Sequence, residues 1–239
     1  MKEGLPIHIV QIGAHTGFEH NDPFAQGLVS YLDLLPIEKN QSVVWTFVEP
    51  SPPNFERLQA NVQNHSDICQ MRAVNAAVVA DDLQESDIEA LTFYSISDSI
   101  DPETGHDSKS NHTFPFWVSQ ISSFSKSPIL WNKRIWKRKD LDVNDYIVET
   151  DVTALRYSDL MKHHVDSMHA PAFVLLDTEG FDCKIILGIS SKSQYLPTYM
   201  VFEHKQCGQD RDPAMNHLRS IGYSVTQLDG ENTFAYLQK

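Results

Sequence analysis

Five short stretches hold the residues able to do chemistry, and each closes an apolar run. IHIVQI (7–12) leads into Gly13, Ala14, His15, Thr16 and Gly17, and VVWTFV (43–48) ends in Glu49-Pro50. A third run within Cys69–Val79 contains Asn75 and Ala76; AFVLL (172–176) ends in Asp177-Thr178-Glu179-Gly180, and YMVF (199–202) ends in Glu203-His204. A glycine-flanked turn after a strand exposes main-chain N–H groups and lets a small polar ligand approach the backbone. An acid at the tip of a second strand is placed to accept hydrogen bonds from both hydroxyls of a ribose. Asp177 and Glu179, two apart, face the same way if the strand persists, and paired carboxylates take or share a proton or hold a divalent metal. His204 is of a type whose ordinary pKa, about 6.5, suits proton removal at neutral pH. His163, His164 and His169, with Asp166 between them, match no standard zinc spacing and read as a polar connector, so no metal site is assigned.

The elements that must position these residues alternate along the chain. Asp22-Pro23 reads as a cap and first helical position, followed by an apolar stripe of Phe24, Leu28, Tyr31, Leu32 and Leu35. Ser51-Pro52 opens a second helix with Phe55, Leu58 and Val62 on one face, a third runs from about Asp182 to Leu187, and Asp212-Pro213 opens a last one. YSVTQLDGENTFAYL reads as two strands around Asp229-Gly230. Strands separated by helices imply right-handed crossovers and a mostly parallel sheet with helices on both faces, and the hairpin adds an antiparallel strand. In such sheets ligands bind beyond the carboxyl ends of the strands, where all five stretches end.

The chain of 239 residues, with 41% apolar and 21% charged residues, reads as a single globular domain. From about 95 to 144 the alternation stops. SISDSIDPETGHDSKSNHTF reads as a loop or partly disordered insertion, and such loops are commonly lids. Lys126, Lys133, Arg134, Lys137, Arg138 and Lys139 follow with Trp131 and Trp136, either as an amphipathic helix packed on the domain or as a lid for an anionic or carbohydrate ligand. The net charge of −13 argues against general nucleic-acid binding. No apolar run reaches the length of a membrane span, and MKEGLPIHIVQIG shows no signal-peptide pattern. Cys69, Cys183 and Cys207 form neither a disulfide framework nor a metal knuckle; they read as reduced thiols, and the expected location is the cytosol.

A glycine turn and a strand-two acid suit a nucleoside ligand. NAD calls for G-x-G-x-x-G with an acid about 20 residues on. Here His15 stands at the second glycine, the one that admits a pyrophosphate, and Glu49 lies 36 positions beyond Gly13. A cofactor without phosphates, such as S-adenosylmethionine, fits better.

Taken together, GAHTG, FVEPSPPNFERLQANV, NAAV, LLDTEGFDCKIILGI, VFEHK and GYSVTQLDGENTFAYL resemble the FkbM-type methyltransferases from about residue 7 to the end, with a poor match over about 80–150. The resemblance implies an α/β, Rossmann-like class I methyltransferase fold: a mostly parallel seven-stranded sheet with an antiparallel last strand. It also implies S-adenosylmethionine as cofactor and a small-molecule or carbohydrate hydroxyl as acceptor. By position, Gly13, Ala14 and Gly17 would line the methionine part, Glu49 would bind ribose, Asn75 and Ala76 would flank adenine, and Asp177 would sit near the sulfonium and the acceptor. The family usually has Asp where this chain has Gln11 and Asn where it has His15. Gln11 supplies no charge for the cofactor's ammonium, and His15 adds a hydrogen-bonding group. His204, Asp177 and Glu179 are the candidates for proton removal. The alternatives are a methyltransferase-like module that binds the nucleoside without transfer, and a nicotinamide-dependent oxidoreductase.

Overall fold

The β-branched and aromatic runs become strands because their side chains fill a pleated surface covered on both sides. The computed structural model describes residues 6–18, 23–32, 42–89, 91–101, 104–110, 112–131, 142–166 and 168–238. Its strands are β1 (Ile7–Ile12), β2 (Val43–Val48), β3 (Gln70–Val74), β4 (Ala77–Val79), β5 (Phe93–Ile96), β6 (Ile147–Thr150), β7 (Ala154–Arg156), β8 (Phe173–Leu176), β9 (Tyr199–Glu203), β10 (Tyr223–Gln227) and β11 (Asn232–Leu237). Seven of them make the main sheet in the order β10-β11-β9-β8-β1-β2-β3. All neighbours are parallel except β11, which is antiparallel to both β9 and β10.

Helices α1 (Pro23–Leu32) and α2 (Pro52–Asn64) pack on one face, around Trp45, Phe47, Leu32 and Leu58. Helices α3 (Asp182–Gly188) and α4 (Arg211–Ser220) cover the other, around Val10, Ile12, Met200, Phe202, Ile186 and Leu218. Every residue of β2 is buried, as expected for a strand covered on both sides. Ser51 precedes α2 as expected, although its hydroxyl makes no capping bond; its carbonyl accepts from Phe55 N at 2.8 Å.

Strand register is what assembles a site. Ile12 lies beside both Val48 and Leu176, Val48 beside Val74, and Leu176 beside Phe202. Gly13, Glu49, Asn75, Asp177 and Glu203 therefore emerge along one edge of the sheet.

Several expectations are corrected. The third run is two strands: the chain breaks at Asn75-Ala76, and β4 leaves the main sheet to pair with β7. The polar segment of the insertion is a loop, as expected, made over its described residues of turns and isolated bridges, but the insertion also carries strands and a core. β5 pairs with β6, and a small core forms from Ile96, Ile100, Phe114, Val118, Ile121, Ile129 and Tyr146. Its polar segment folds around Asp107, fully buried, which accepts from Tyr146 Oη at 3.0 Å, the Lys109 amide at 3.1 Å and the Ser110 hydroxyl. Ser110 and Ser99, two of the serines that suggested a loose loop, are among the donors that satisfy that carboxylate. Cys183 and Cys207 are not free thiols: they are joined in a disulfide with Cα atoms 5.7 Å apart, and only Cys69 remains free. The fold brings the start of α3 against the turn after β9, a pairing that spacing along the chain could not reveal. A disulfide removes the thiol-based argument for a reducing compartment.

Asp22 and Leu35 lie outside the described residues, as do Lys133, Arg134, Trp136, Lys137, Arg138 and Lys139 of the basic stretch. Among the described residues, no helix is long and apolar enough to cross a membrane.

Candidate functional site

At the carboxyl edge of the sheet lies a cavity of about 630 Å³. Of the residues singled out from the sequence, Gln11, Gly13, Ala14, His15, Gly17, Glu49, Ala76, Asp177 and Glu179 line it. Asn75 and His204 do not.

The glycine turn owes its composition to the protein itself. Gly13 has φ +82°, and a Cβ there would overlap the carbonyl oxygen of Asp177, just past the end of β8. Gly17 has φ +63°, and a Cβ would stand 2.9 Å from Leu58 Cδ1 on α2. The turn does not offer bare amides, which corrects the expectation from its sequence. Gly13 N and Ala14 N donate to Val48 O at 2.9 and 3.0 Å, Gly17 N donates to Ala14 O at 2.8 Å, and His15 N is taken by Glu49. A ligand here meets the turn's surface rather than a row of donors. Gly13→Ala is expected to destabilise the protein by more than about 2 kcal/mol, because β1 and β8 must separate or the turn must leave the left-handed region. A denaturant midpoint indistinguishable from wild type would contradict this.

Glu49 is the most constrained of the lining carboxylates. Its side chain is only 3% exposed, Oε2 accepts from His15 N at 2.8 Å, and Oε1 accepts from Ser51 N at 2.9 Å. Each oxygen accepts from one backbone amide, and the Asn54 side chain donates to the carboxylate as well. Burial pushes its pKa up to about 7, against the pull of His15 and the two amides. His15 adopts φ +49°, unusual for a non-glycine residue, and this left-handed turn brings its amide to Glu49.

Ala76, Ala77, Val78, Phe93 and Phe124 supply an apolar part of the wall, and Ser122 and Ser123 line the cavity as well. Asn75 is instead a tie: its amide donates to Glu49 O at 2.8 Å and Pro50 O at 3.2 Å, fixing the ends of β2 and β3 to each other.

The cavity also has an acidic end, with Asp177, Glu179, Glu203, Asp229 and Glu231 in its wall. The expectation that Asp177 and Glu179 share a strand face is corrected: β8 ends at Leu176, and Glu179 sits at φ +53°. Both line the cavity because the chain turns there. Asp182 braces this turn, accepting through Oδ2 from Thr178 N at 3.2 Å and Thr178 Oγ1 at 2.7 Å. Gln206 Nε2 donates to Glu203 Oε2 at 3.1 Å and also to Glu179 Oε2. Burial, then the charges of Glu179 and Asp182, raise Glu203 to about 8; burial, then the charge of Asp182, raises Glu179 to about 7 against the bond from Gln206.

His204 points away from this end. It is 1% exposed, its Nδ1 is bonded to Thr233 Oγ1 at 2.9 Å, and burial and nearby Arg211 keep its pKa below the ordinary value. Because successive residues of a strand face opposite sides, Glu203 reaches the cavity and His204 does not. His169 and His8 both approach Asp166, at 3.0 and 3.3 Å, and none of the three lines the cavity. No group of three or more His, Cys, Asp or Glu side chains able to hold a metal occurs among the described residues.

These carboxyls imply a pH dependence. Glu49, Glu179 and Glu203 have folded pKa values of about 7, 7 and 8 against an ordinary 4.5, so the folded state binds more protons than the unfolded state in between. Stability of the ligand-free protein is expected to fall as pH rises from about 4.5 to about 8 and to level off above. Thermal unfolding across that range checks it, and Glu203→Gln should flatten the upper part of the slope.

Sequence reasoning missed the role of Glu203, although it closes a strand just as Glu49 does. It also missed Asp229 and Glu231, which occupy the turn read only as a hairpin, and Phe93 and Phe124, which carry no local signal.

The strand order, with β11 antiparallel between β9 and β10, defines a Rossmann-like class I methyltransferase fold. Among solved structures, the chain is similar to a precorrin-6y C5,15-methyltransferase from Geobacter metallireducens, at 11% identity and a TM-score of 0.41, covering 97% of this chain and 80% of that one. It is also similar to a methyltransferase from Geobacter sulfurreducens, at 7% identity and a TM-score of 0.43, covering 98% and 72%. No protein-family model and no curated protein sequence matches the chain.

Proposed function

We propose that the protein is an S-adenosylmethionine-dependent O-methyltransferase acting on a hydroxyl of a small molecule or glycan. The observation that carries this reading is Glu49: a buried carboxylate at the tip of β2, held by the amides of His15 and Ser51 and by the Asn54 side chain, that lines the cavity and offers a ribose a charged acceptor. The apolar lining of Ala76, Val78, Phe93 and Phe124 suits adenine. The lining residues thus fit a nucleoside without phosphates. When bound, the cofactor supplies a methyl group on a sulfonium, open to in-line displacement by an acceptor oxygen.

The chain's own residues orient and take a proton. Glu49 fixes the ribose, and Ala76, Val78, Phe93 and Phe124 enclose the base. Asp177 follows β8, the strand between β1 and β9, and lines the cavity. The acceptor's proton passes to Glu203 or Glu179, whose pKa values near 8 and 7 suit a base at neutral pH better than an ordinary carboxylate does. Gln206 positions that pair. His204, bonded to Thr233 and buried outside the cavity, is not assigned the proton transfer.

Calorimetric titration with S-adenosylhomocysteine and with NAD tests the cofactor: the first is expected to bind and the second not. Isotope-labelled methyl transfer to a panel of alcohols and sugars then separates an enzyme from a nucleoside-binding module. Gln11 in place of the acid usual in the resembling family is the observation that favours the module. Tight binding without any transfer would establish it.

A further inference from the structure

We propose that the acceptor end of the cavity is built for a cation, so that the acceptor is a hydroxyl compound carrying an ammonium group held between Glu179 and Glu203. The inference rests on the methyltransferase reading and narrows it. Five carboxylates stand in this end of the wall, and among the described residues no lysine or arginine lines the cavity. Lys205, whose charge reaches Glu179 and Glu203, is turned to Glu231, with both side chains about half exposed. The donor between Glu179 and Glu203 is the amide of Gln206, which bonds to both without neutralising either. Behind them Asp182 is fully buried, with Thr178 on its Oδ2.

Buried like charges are tolerated only with a counter-ion or with protons. Here protons substitute: burial and the mutual repulsion of Glu179, Asp182 and Glu203, with Glu231 adding to it and Lys205 opposing it at Glu179, hold the pair above the ordinary range. An ammonium entering the cavity displaces those protons and makes charge-assisted hydrogen bonds to oxygens that already converge on it. The same wall repels a phosphate or carboxylate acceptor.

The test uses the wild-type protein saturated with S-adenosylhomocysteine and two matched pairs of probes: choline against 3,3-dimethylbutanol, which has the same shape without the charge, and glucosamine against glucose. The cationic member of at least one pair is expected to bind about tenfold or more tightly than its neutral counterpart. Choline does not titrate, so its affinity should rise as pH passes through about 7 and about 8, where Glu179 and Glu203 ionise. Glu203→Gln should shrink the difference within the pair. Equal affinities within both pairs, no measurable binding of either cation, or tighter binding of gluconate than of glucose would each overturn the inference. Failure of S-adenosylhomocysteine to bind at all would instead overturn the methyltransferase reading.

Discussion

Glu49→Ala is expected to weaken S-adenosylhomocysteine binding by on the order of a hundredfold. A carboxylate accepting two ribose hydroxyls makes two hydrogen bonds to a charged group, each contributing about 1.5–3 kcal/mol, and the alanine leaves both hydroxyls buried without acceptors. Part of the loss comes from the turn itself, since His15 N and Ser51 N lose their acceptor together. Glu49→Gln separates the two contributions. It keeps one oxygen for the amides but meets the diol with a donor in place of an acceptor, so its affinity should fall between those of wild type and alanine. Stability should move the other way. Above about pH 7 the wild type holds a desolvated charge at this position, and the amide removes it. Glu49→Gln is therefore expected to unfold at the same temperature as wild type or higher at pH 8 while binding less. Calorimetry and thermal unfolding on the same samples measure both. Alanine and wild type with equal affinity would remove Glu49 from the cofactor site.

Cutting the Cys183–Cys207 link is expected to produce the largest loss of stability. The bridge joins residues 24 apart, and a closed loop of that size restricts the unfolded chain by about 3 kcal/mol in the chain-entropy description. For a protein of this size the unfolding temperature should fall by about 10 °C on adding reductant or in the Cys183→Ser, Cys207→Ser double variant. Cys69→Ser should retain the full reductant effect, because that thiol is unpaired. The effect on binding should be local. Cys207 directly follows Gln206, which holds Glu179 and Glu203, and Cys183 directly follows Asp182, which braces the turn at Thr178. Acceptor binding is therefore expected to suffer more than binding of S-adenosylhomocysteine, whose ribose carboxylate lies on β2. An unfolding temperature that ignores reductant would show that the link does not support the fold.

The amino-acid sequence by itself determined where the seven strands of the main sheet run and that their polar ends share an edge, but not the small strands β4 to β7. Val43–Val48 is apolar at every position and ends in an acid, and in a parallel sheet such an end has only one side to face. Glu49 and Asp177 were legible for that reason, and so was the hairpin at Asp229-Gly230, whose turn chemistry is local. Only the tertiary structure decided which neighbour of each strand end enters the cavity. Glu203 and His204 differ by one position, and the register of β9 against β8 and β11 turns one inward and the other onto Thr233. Asn75 looked like a ligand residue and is a tie between strands; the glycines looked like an opening for a ligand and make room for the Asp177 carbonyl and for Leu58. The disulfide, the Gln206 bridge and the Asp107 cluster join residues distant along the chain. Local propensity is a property of neighbours in sequence, whereas these contacts exist only once the sheet has fixed the distances between its loops.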